Sequence, residues 1–247
     1  EVRAFTKDYK RGQDPYLGRG FAQFQVCTAP TSDRTDVGAA SSASINCPST
    51  NAVVSFGPDI SRQTNALRVK TYGGLLQGRL KAGNHDIRVF AEFQDVKAFN
   101  AFVQRSAGDY YFDSLADFQA GNAQRFRYGN AIPSLVPDDA AASFGYQAYT
   151  FGIQDNWQVT NELLVNLGGR YDLYGGSSRP VLNANFLSRM GFANNKFVSG
   201  LGVFQPRLGF TWKATPTFTL RGGAGVFSGG TPDVYVSNSF SNTGVLT

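Results

Sequence analysis

The chain has 247 residues, of which 28 are glycine, 21 phenylalanine and 11 tyrosine, and only 17% are charged. This composition favours strands and turns over helices. The chain has no apolar run of about 20 residues, which excludes a transmembrane helix but not the weaker alternating pattern of membrane barrel strands. The formal net charge is +5, but the Lys and Arg residues are scattered, so we expect no nucleic-acid partner.

Both ends of the sequence are predicted to be cuts in a longer polypeptide. Glu1-Val2-Arg3 opens the chain without the basic segment and apolar core of a signal peptide. Residues 242–247 have the composition of a loop.

Two cysteines, Cys27 and Cys47, flank a segment rich in Ser, Thr, Ala and Asp. Two thiols and one distant histidine are too few ligands for a metal site, and no CxxC motif is present. We therefore predict a disulfide that closes a polar loop in an oxidising compartment, with two free thiols as the alternative. We expect no metal and no cofactor.

The first predicted hairpin covers about 68–80 and 86–98, with a turn at 81–85. Its second strand alternates in period two, which is typical of a strand with one apolar face. The apolar positions are Ile87, Val89, Ala91 and Phe93, and the opposite positions are Arg88, Phe90, Glu92 and Gln94.

The connection that follows, 99–145, contains a predicted short helix over 112–121. Asp113 or Ser114 can cap its first turn, and Gly121 suits a left-handed C-terminal residue. Leu115 and Phe118 form its apolar side.

The second predicted hairpin, over about 148–173 with a turn at 160–162, shows the clearest alternation. A third hairpin covers about 204–212 and 218–226, with a turn at 213–217. In both hairpins apolar and aromatic residues occupy one face, while small and polar residues occupy the other. We expect these strands to be about ten to thirteen residues long.

Short turns therefore alternate with long connections, predicted at about 27–63, 99–145, 175–202 and 228–247. This asymmetry is typical of bacterial outer-membrane barrels, with short periplasmic turns and long extracellular loops. The sequence predicts an all-β fold, a transmembrane antiparallel β-barrel, with one partial barrel domain of about six to eight strands over 1–247. A soluble lectin-like sandwich is the alternative, although its loops and strands are usually shorter.

Charged residues on the polar face are tolerable where that face lines a wet or plugged lumen. The lumen-facing candidates for contact with a plug or a substrate are Arg88, Glu92, Arg170, Asp172, Arg207 and Arg221. The alternative is that they pair with one another across strands. Trp157 and Trp212 lie on the apolar face just before short turns, which predicts an interfacial aromatic girdle.

No motif indicates catalysis. The glycines at 222–225 lie in a strand pattern, whereas a nucleotide-binding loop needs a following helix. His85 is the only histidine in the chain, and no GxSxG nucleophile motif accompanies it. We expect the protein not to be an enzyme.

Several segments resemble TonB-dependent receptors, specifically their Oar-like branch. The strongest are FGIQDNWQVT at 151–160 and LLVNLGGRYD at 163–172, which resemble a characteristic hairpin of that family. QPRLGF at 205–210 and LRGGAGVF at 220–227 resemble the next two strands, and FDSLADFQAG at 112–121 resembles a loop of the Oar-like members. The family's plug domain, carboxypeptidase-like module, TonB box and terminal aromatic residue do not occur in this sequence.

The resemblance implies a multi-pass protein of the Gram-negative outer membrane, with a plugged barrel of about 22 strands. It implies active uptake of a siderophore, oligosaccharide, cobalamin or peptide, energised by the TonB–ExbB–ExbD complex. The implied partners are outer-membrane lipid and lipopolysaccharide, the protein's own plug domain, the TonB complex and surface lipoproteins. A passive porin and an outer-membrane adhesion or surface-scaffold protein are the alternatives.

Overall fold

The computed structural model describes residues 1–16, 18–30, 47, 50–229 and 233–247. In these residues the strands are β1 (Val2–Gly12), β2 (Gln23–Cys27), β3 (Val53–Phe56), β4 (Asn65–Ala82), β5 (His85–Phe102), β6 (Asp109–Phe112), β7 (Arg125–Arg127), β8 (Ala142–Gln158), β9 (Leu163–Gly175), β10 (Gly202–Thr215) and β11 (Phe218–Gly225). The helices are α1 (Leu115–Ala120), α2 (Ala184–Met190) and α3 (Asp233–Ser241), and a 3-10 helix covers Pro137–Ala140. None of the helices in this described part is both long and apolar enough to cross a membrane.

The chain divides into two compact units. Unit 1 comprises Glu1–Tyr9, Arg68–Ala98 and Ser143–Phe240, and unit 2 comprises Lys10–Leu67, Phe99–Ala142 and Ser241–Thr247. Most of a seven-stranded sheet lies in unit 1, with the strand order β1-β4-β5-β8-β9-β10-β11. A four-stranded sheet in unit 2 has the order β3-β2-β6-β7.

The strands of the seven-stranded sheet follow one another in chain order once β2, β3, β6 and β7 are set aside. Two residues join β4 to β5, four join β8 to β9, and two join β10 to β11. The other connections are much longer. Among the described residues, this seven-stranded sheet is open, with β1 and β11 at its edges, and does not close into a barrel. The 22-stranded barrel therefore stays a prediction.

The registers of β8, β9, β10 and β11 confirm the predicted alternation. All three pairings are antiparallel, and Phe151 lies opposite Tyr171, which lies opposite Phe204. On the other face Arg170 lies opposite both Gly152 and Gln205. Because directly opposed residues of paired strands project to the same side, the apolar residues of all four strands share one face.

Aromatic rings in this sheet pack over glycines of the neighbouring strand. The pairs are Phe5 with Gly73, Phe90 with Gly152, Phe204 with Gly169, Tyr171 with Gly202, and Phe210 with Gly222. At each of these glycines a Cβ atom would lie within 3.2 Å of a ring atom. The glycines therefore leave the space that the rings fill, which explains why glycine and aromatic residues are abundant together.

Strand lengths and turns differ from the sequence prediction. β4 and β5 have 18 residues each and β8 has 17, while β11 has 8. The turns predicted at 81–85 and 213–217 shorten to Gly83–Asn84 and 216–217. Lys, His and Thr residues at the strand ends interrupt the alternation of apolar and polar residues, so the sequence pattern ends before the strand does. The strand continues because the hydrogen bonds between backbones do not depend on side-chain polarity.

The four predicted loops are also more structured than expected. The stretch 27–63 contains β3, and 99–145 contains β6 and β7. Strands of three to five residues are too short to show a period. The stretch 175–202 contains α2 and 228–247 contains α3, and α3 has no strong apolar stripe.

Unit 2 is organised around its small sheet. β2 pairs parallel with β6 and antiparallel with β3, and β6 pairs antiparallel with β7. Helix α1 has the predicted caps, since the Ser114 side chain accepts a hydrogen bond from the Asp117 amide and Gly121 has φ 72°. The sulfurs of Cys27 and Cys47 are bonded in the structure, and Cys27 and Tyr111 pack together in the core of this unit.

Candidate functional site

The polar face of the seven-stranded sheet brings together the six charged residues that the sequence predicts to face the lumen. Arg170 lies opposite Gln205, and Arg207 and Arg221 continue the same face through their register. Arg88 and Glu92 flank Phe90, whose ring packs at Gly152 on this face. Arg88, Arg207 and Arg221 are exposed, whereas Asp172 is only 4% exposed.

Asp172 is the centre of a buried hydrogen-bond cluster, which we call the Asp172 cluster and which comprises Thr150, Arg170, Asp172 and Gln205. Arg170 Nε donates to both carboxylate oxygens of Asp172, at 2.9 and 3.1 Å. Thr150 Oγ1 donates to Asp172 Oδ1 at 2.7 Å, and Gln205 Nε2 donates to Oδ2 at 2.6 Å. These donors compensate the cost of burying the carboxylate and hold the guanidinium in one place.

The cluster extends into the segment that follows β11. Gln205 is fully buried, and its Oε1 accepts a hydrogen bond from the Ser228 amide at 2.8 Å. One glutamine therefore connects β9, β10 and the chain leading towards α3. Arg170 and Asp172 both lie on β9, so their ion pair is not the pairing across strands that the sequence left as the alternative. The cluster reaches β8 through Thr150 and β10 through Gln205.

A cavity of about 380 Å³ lies above the cluster on the polar face. Its floor includes Thr150, Arg170 and Asp172, and its walls include Tyr174 and Phe197. This volume is within the range of small-molecule sites, about 300–1,000 Å³, and it combines aromatic walls with a few fixed polar groups. Chemically, the cavity can bind a ligand group by ring stacking and by hydrogen bonds to the guanidinium.

Helix α3 packs beside this cavity. The Phe240 ring stacks on Phe144 at 4.7 Å between centroids and meets Phe197 edge-on at 5.0 Å. Tyr146 Oη donates to Asp233 Oδ1 at 3.2 Å. Burial raises the pKa of the Asp233 carboxyl, and the hydrogen bond from Tyr146 partly opposes that shift.

Sequence reasoning missed several residues of this site. Thr150 and Gln205 were recoverable, because both occupy polar-face positions of predicted strands. The residues contributed by long connections, Phe197, Ser228, Asp233 and Phe240, carry no local signal that points to β8 or β10. For α2 a signal existed, since Asn183 caps the helix and Gly191 ends it with φ 76°.

The two tryptophans lie on the apolar face near the short turns. Trp157 is opposite Val165 and Trp212 is opposite Leu163, so the indoles are in adjacent cross-strand rows. Both are partly exposed, at 37% and 46%. On the same face His85 Nδ1 lies 2.6 Å from Asp155 Oδ2, and the imidazole stacks on Trp157.

Over the described residues, no group of three or more His, Cys, Asp or Glu is arranged to hold a metal ion.

A family model described as an outer membrane beta barrel domain matches residues 5–247. The chain belongs to this family. An outer-membrane β-barrel domain lies in the outer membrane of the cell, and the all-β, mainly antiparallel fold agrees with that assignment.

The outer-membrane β-barrel domain is also similar to a solved structure, the outer membrane transporter YddB from Escherichia coli. The two are 11% identical with a TM-score of 0.36, and the alignment covers 86% of this chain and 20% of that one. The chain thus spans about a fifth of that transporter's length. No curated protein matches the chain.

Proposed function

We propose that this domain is part of the barrel wall of a TonB-dependent receptor of the Oar-like branch, which takes up a siderophore, oligosaccharide, cobalamin or peptide. In this proposal the polar face lines the lumen and contacts the receptor's own plug domain. The inner-membrane TonB complex supplies the energy, and surface lipoproteins are further partners. The apolar face contacts lipid and lipopolysaccharide.

The Asp172 cluster with its cavity is the observation that favours a plugged or ligand-filled lumen over an open one. A water-filled channel needs a polar lining but no cavity with aromatic walls. Here Arg170 is held by a buried carboxylate, and Tyr174 and Phe197 stand beside it. The hairpin over 151–172, which resembles the Oar-like members, contains Arg170 and Asp172, and Thr150 directly precedes it.

The test measures uptake by cells that carry the full-length gene, in strains with and without TonB. The probes are ⁵⁵Fe-loaded siderophores, ⁵⁷Co-cyanocobalamin, a labelled maltooligosaccharide and a labelled peptide. We expect accumulation of one probe to require both the receptor and TonB. Arg207→Gln should lower that uptake severalfold, because its charge is exposed on the polar face, whereas Glu162→Gln in a short turn should not.

Two outcomes contradict the proposal. Receptor-dependent uptake that continues without TonB and only follows the concentration gradient would identify a passive porin. Unchanged uptake of all four probes in a receptor deletion strain, together with lost cell cohesion, would identify an adhesion or scaffold protein.

A further inference from the structure

The apolar face of unit 1 carries a groove of about 800 Å³ across β8, β9, β10 and β11. Its floor is formed by two adjacent cross-strand rows, one of Asp155, Leu167, Leu208 and Ala224 and the other of Ile153, Gly169 and Pro206. Leu167 lies opposite Leu208, which lies opposite Ala224, and Gly169 lies opposite both Ile153 and Pro206.

Aromatic ridges border the groove along the strands. On the short-turn side, the row contains Trp157 and Phe210, each opposite Val165. On the other side, the row contains Phe151, Tyr171 and Phe204. The bordering rows carry aromatic rings and the rows between them carry shorter side chains, so the surface is lower between the ridges, where the Phe204 ring covers part of Gly169.

The environment of the groove limits what can occupy it. In an outer-membrane barrel one face of every spanning strand contacts lipid, and the apolar face is the one that can do so at low cost. The groove is continuous with that face. It crosses four strands, about 14 Å at the usual strand spacing, which suits an acyl chain. Barrel strands tilt by about 35–45°, so a groove across them is inclined to the membrane.

One end of the groove is polar. Asp155 lines it and is held by His85 at 2.6 Å, next to the Trp157 indole. Among the described residues, Asp155 Oδ1 is enclosed by protein atoms and makes no hydrogen bond, while the side chain as a whole is 22% exposed. A carboxylate on a lipid-contacting face is costly unless a donor or a cation satisfies it. The tryptophan row marks the depth at which lipid headgroups lie.

We propose that the groove binds one phospholipid with a primary ammonium headgroup, whose ammonium contacts Asp155 and whose acyl chain lies over Leu167, Leu208 and Ala224. Asp155 supplies the negative charge, His85 orients it, and the aromatic ridges confine the chain. The site depends on membership of the barrel family and not on what the protein transports.

The test uses the full-length protein purified in detergent and titrated with phosphatidylethanolamine, phosphatidylcholine or phosphatidylglycerol of identical acyl chains. Native mass spectrometry measures the fraction of protein that retains one lipid. We expect phosphatidylethanolamine to be retained best. Ala224→Phe should reduce its affinity about tenfold, the loss expected when about two buried methylene groups are displaced. Asp155→Asn should reduce it about threefold and abolish the preference over the other two lipids.

Matched controls are available on the same face. Ala91→Phe adds the same ring on β5 outside the groove, and Asp95→Asn removes a carboxylate that instead accepts a hydrogen bond from Gln147. Both should bind lipid as the wild type does, and heat-modifiable gel migration checks that every variant is folded. Equal retention of the three lipids by the wild type, or wild-type retention by folded Ala224→Phe, would overturn the proposal. A headgroup preference that persists in Asp155→Asn would overturn the role of Asp155.

Discussion

At the scale of single residues, Asp172 is expected to have a large effect on stability. Its carboxylate is buried and accepts from Thr150, Arg170 and Gln205. We expect Asp172→Ala to lower the free energy of unfolding by about 2–3 kcal/mol, because it leaves several donors and a partly buried cation without their acceptor. Urea unfolding of the protein in lipid vesicles measures this free energy for the wild type and the variant.

The control for that prediction is Asp95→Ala, whose carboxylate accepts from Gln147 and is less buried, so a cost below about 1 kcal/mol is expected. A double-mutant cycle adds a sharper comparison. Arg170→Ala combined with Asp172→Ala should cost less than the sum of the single changes, because the pair is lost only once. Strictly additive costs would argue against the Asp172 cluster.

Asp233 makes the packing of α3 sensitive to pH. Burial raises the pKa of this carboxyl above its ordinary value of 3.8, so packed α3 binds the proton more tightly than the released helix. Packing is therefore strongest below about pH 3.8, weakens as the pH rises through the raised pKa, and is constant above it. Hydrogen exchange of the amides at 233–241, corrected for intrinsic rates, should show this loss of protection.

Asp233→Asn removes the titrating group and keeps its size. Protection of the α3 amides in this variant should not vary over the same pH range. An equally strong pH dependence in Asp233→Asn would show that a different group controls the helix.

At the scale of elements, two neighbouring glycines in β11 test how tightly the strands pair. A Cβ at Gly223 would lie 2.8 Å from the Leu208 carbonyl oxygen, which is backbone of the paired strand. A Cβ at Gly222 would lie 2.7 Å from the Phe210 ring, a side chain that can rotate away. Gly223→Ala should therefore cost about 1–3 kcal/mol in unfolding free energy, and Gly222→Ala less than about 1 kcal/mol. Equal costs would contradict this account of the β10–β11 pairing.

The elements also differ in how far the sequence predicts them. Helix α1 was predictable because Ser114 and Gly121 are local signals for its two ends. Helix α3 was not, because its Val and Ser residues favour helix weakly and its stability comes from buried Ser237 and Phe240. The short strands β3, β6 and β7 were missed because three or four residues are too few to show an alternating period.

At the scale of the whole molecule, the two tryptophans test the depth of the sheet in the membrane. In lipid vesicles, single-tryptophan versions made by Trp157→Phe or Trp212→Phe should be quenched more by lipids brominated near the headgroup than by lipids brominated near the chain end. The reason is that an indole prefers the membrane interface. Strong quenching by aqueous acrylamide with no effect of brominated lipid would argue against the girdle.

The sequence by itself determined the strand faces, the short turns and the membrane character of the wall. These follow from period two, from turn residues and from side-chain polarity, all of which are local. Only the tertiary structure decided that Thr150, Arg170, Asp172 and Gln205 form one cluster beside a cavity. It also decided that α3 packs next to them and that two rows of shorter side chains between aromatic rows form a groove. These features depend on the register between strands and on contacts between residues that long connections separate in the sequence. Such contacts produce no periodic pattern in the sequence.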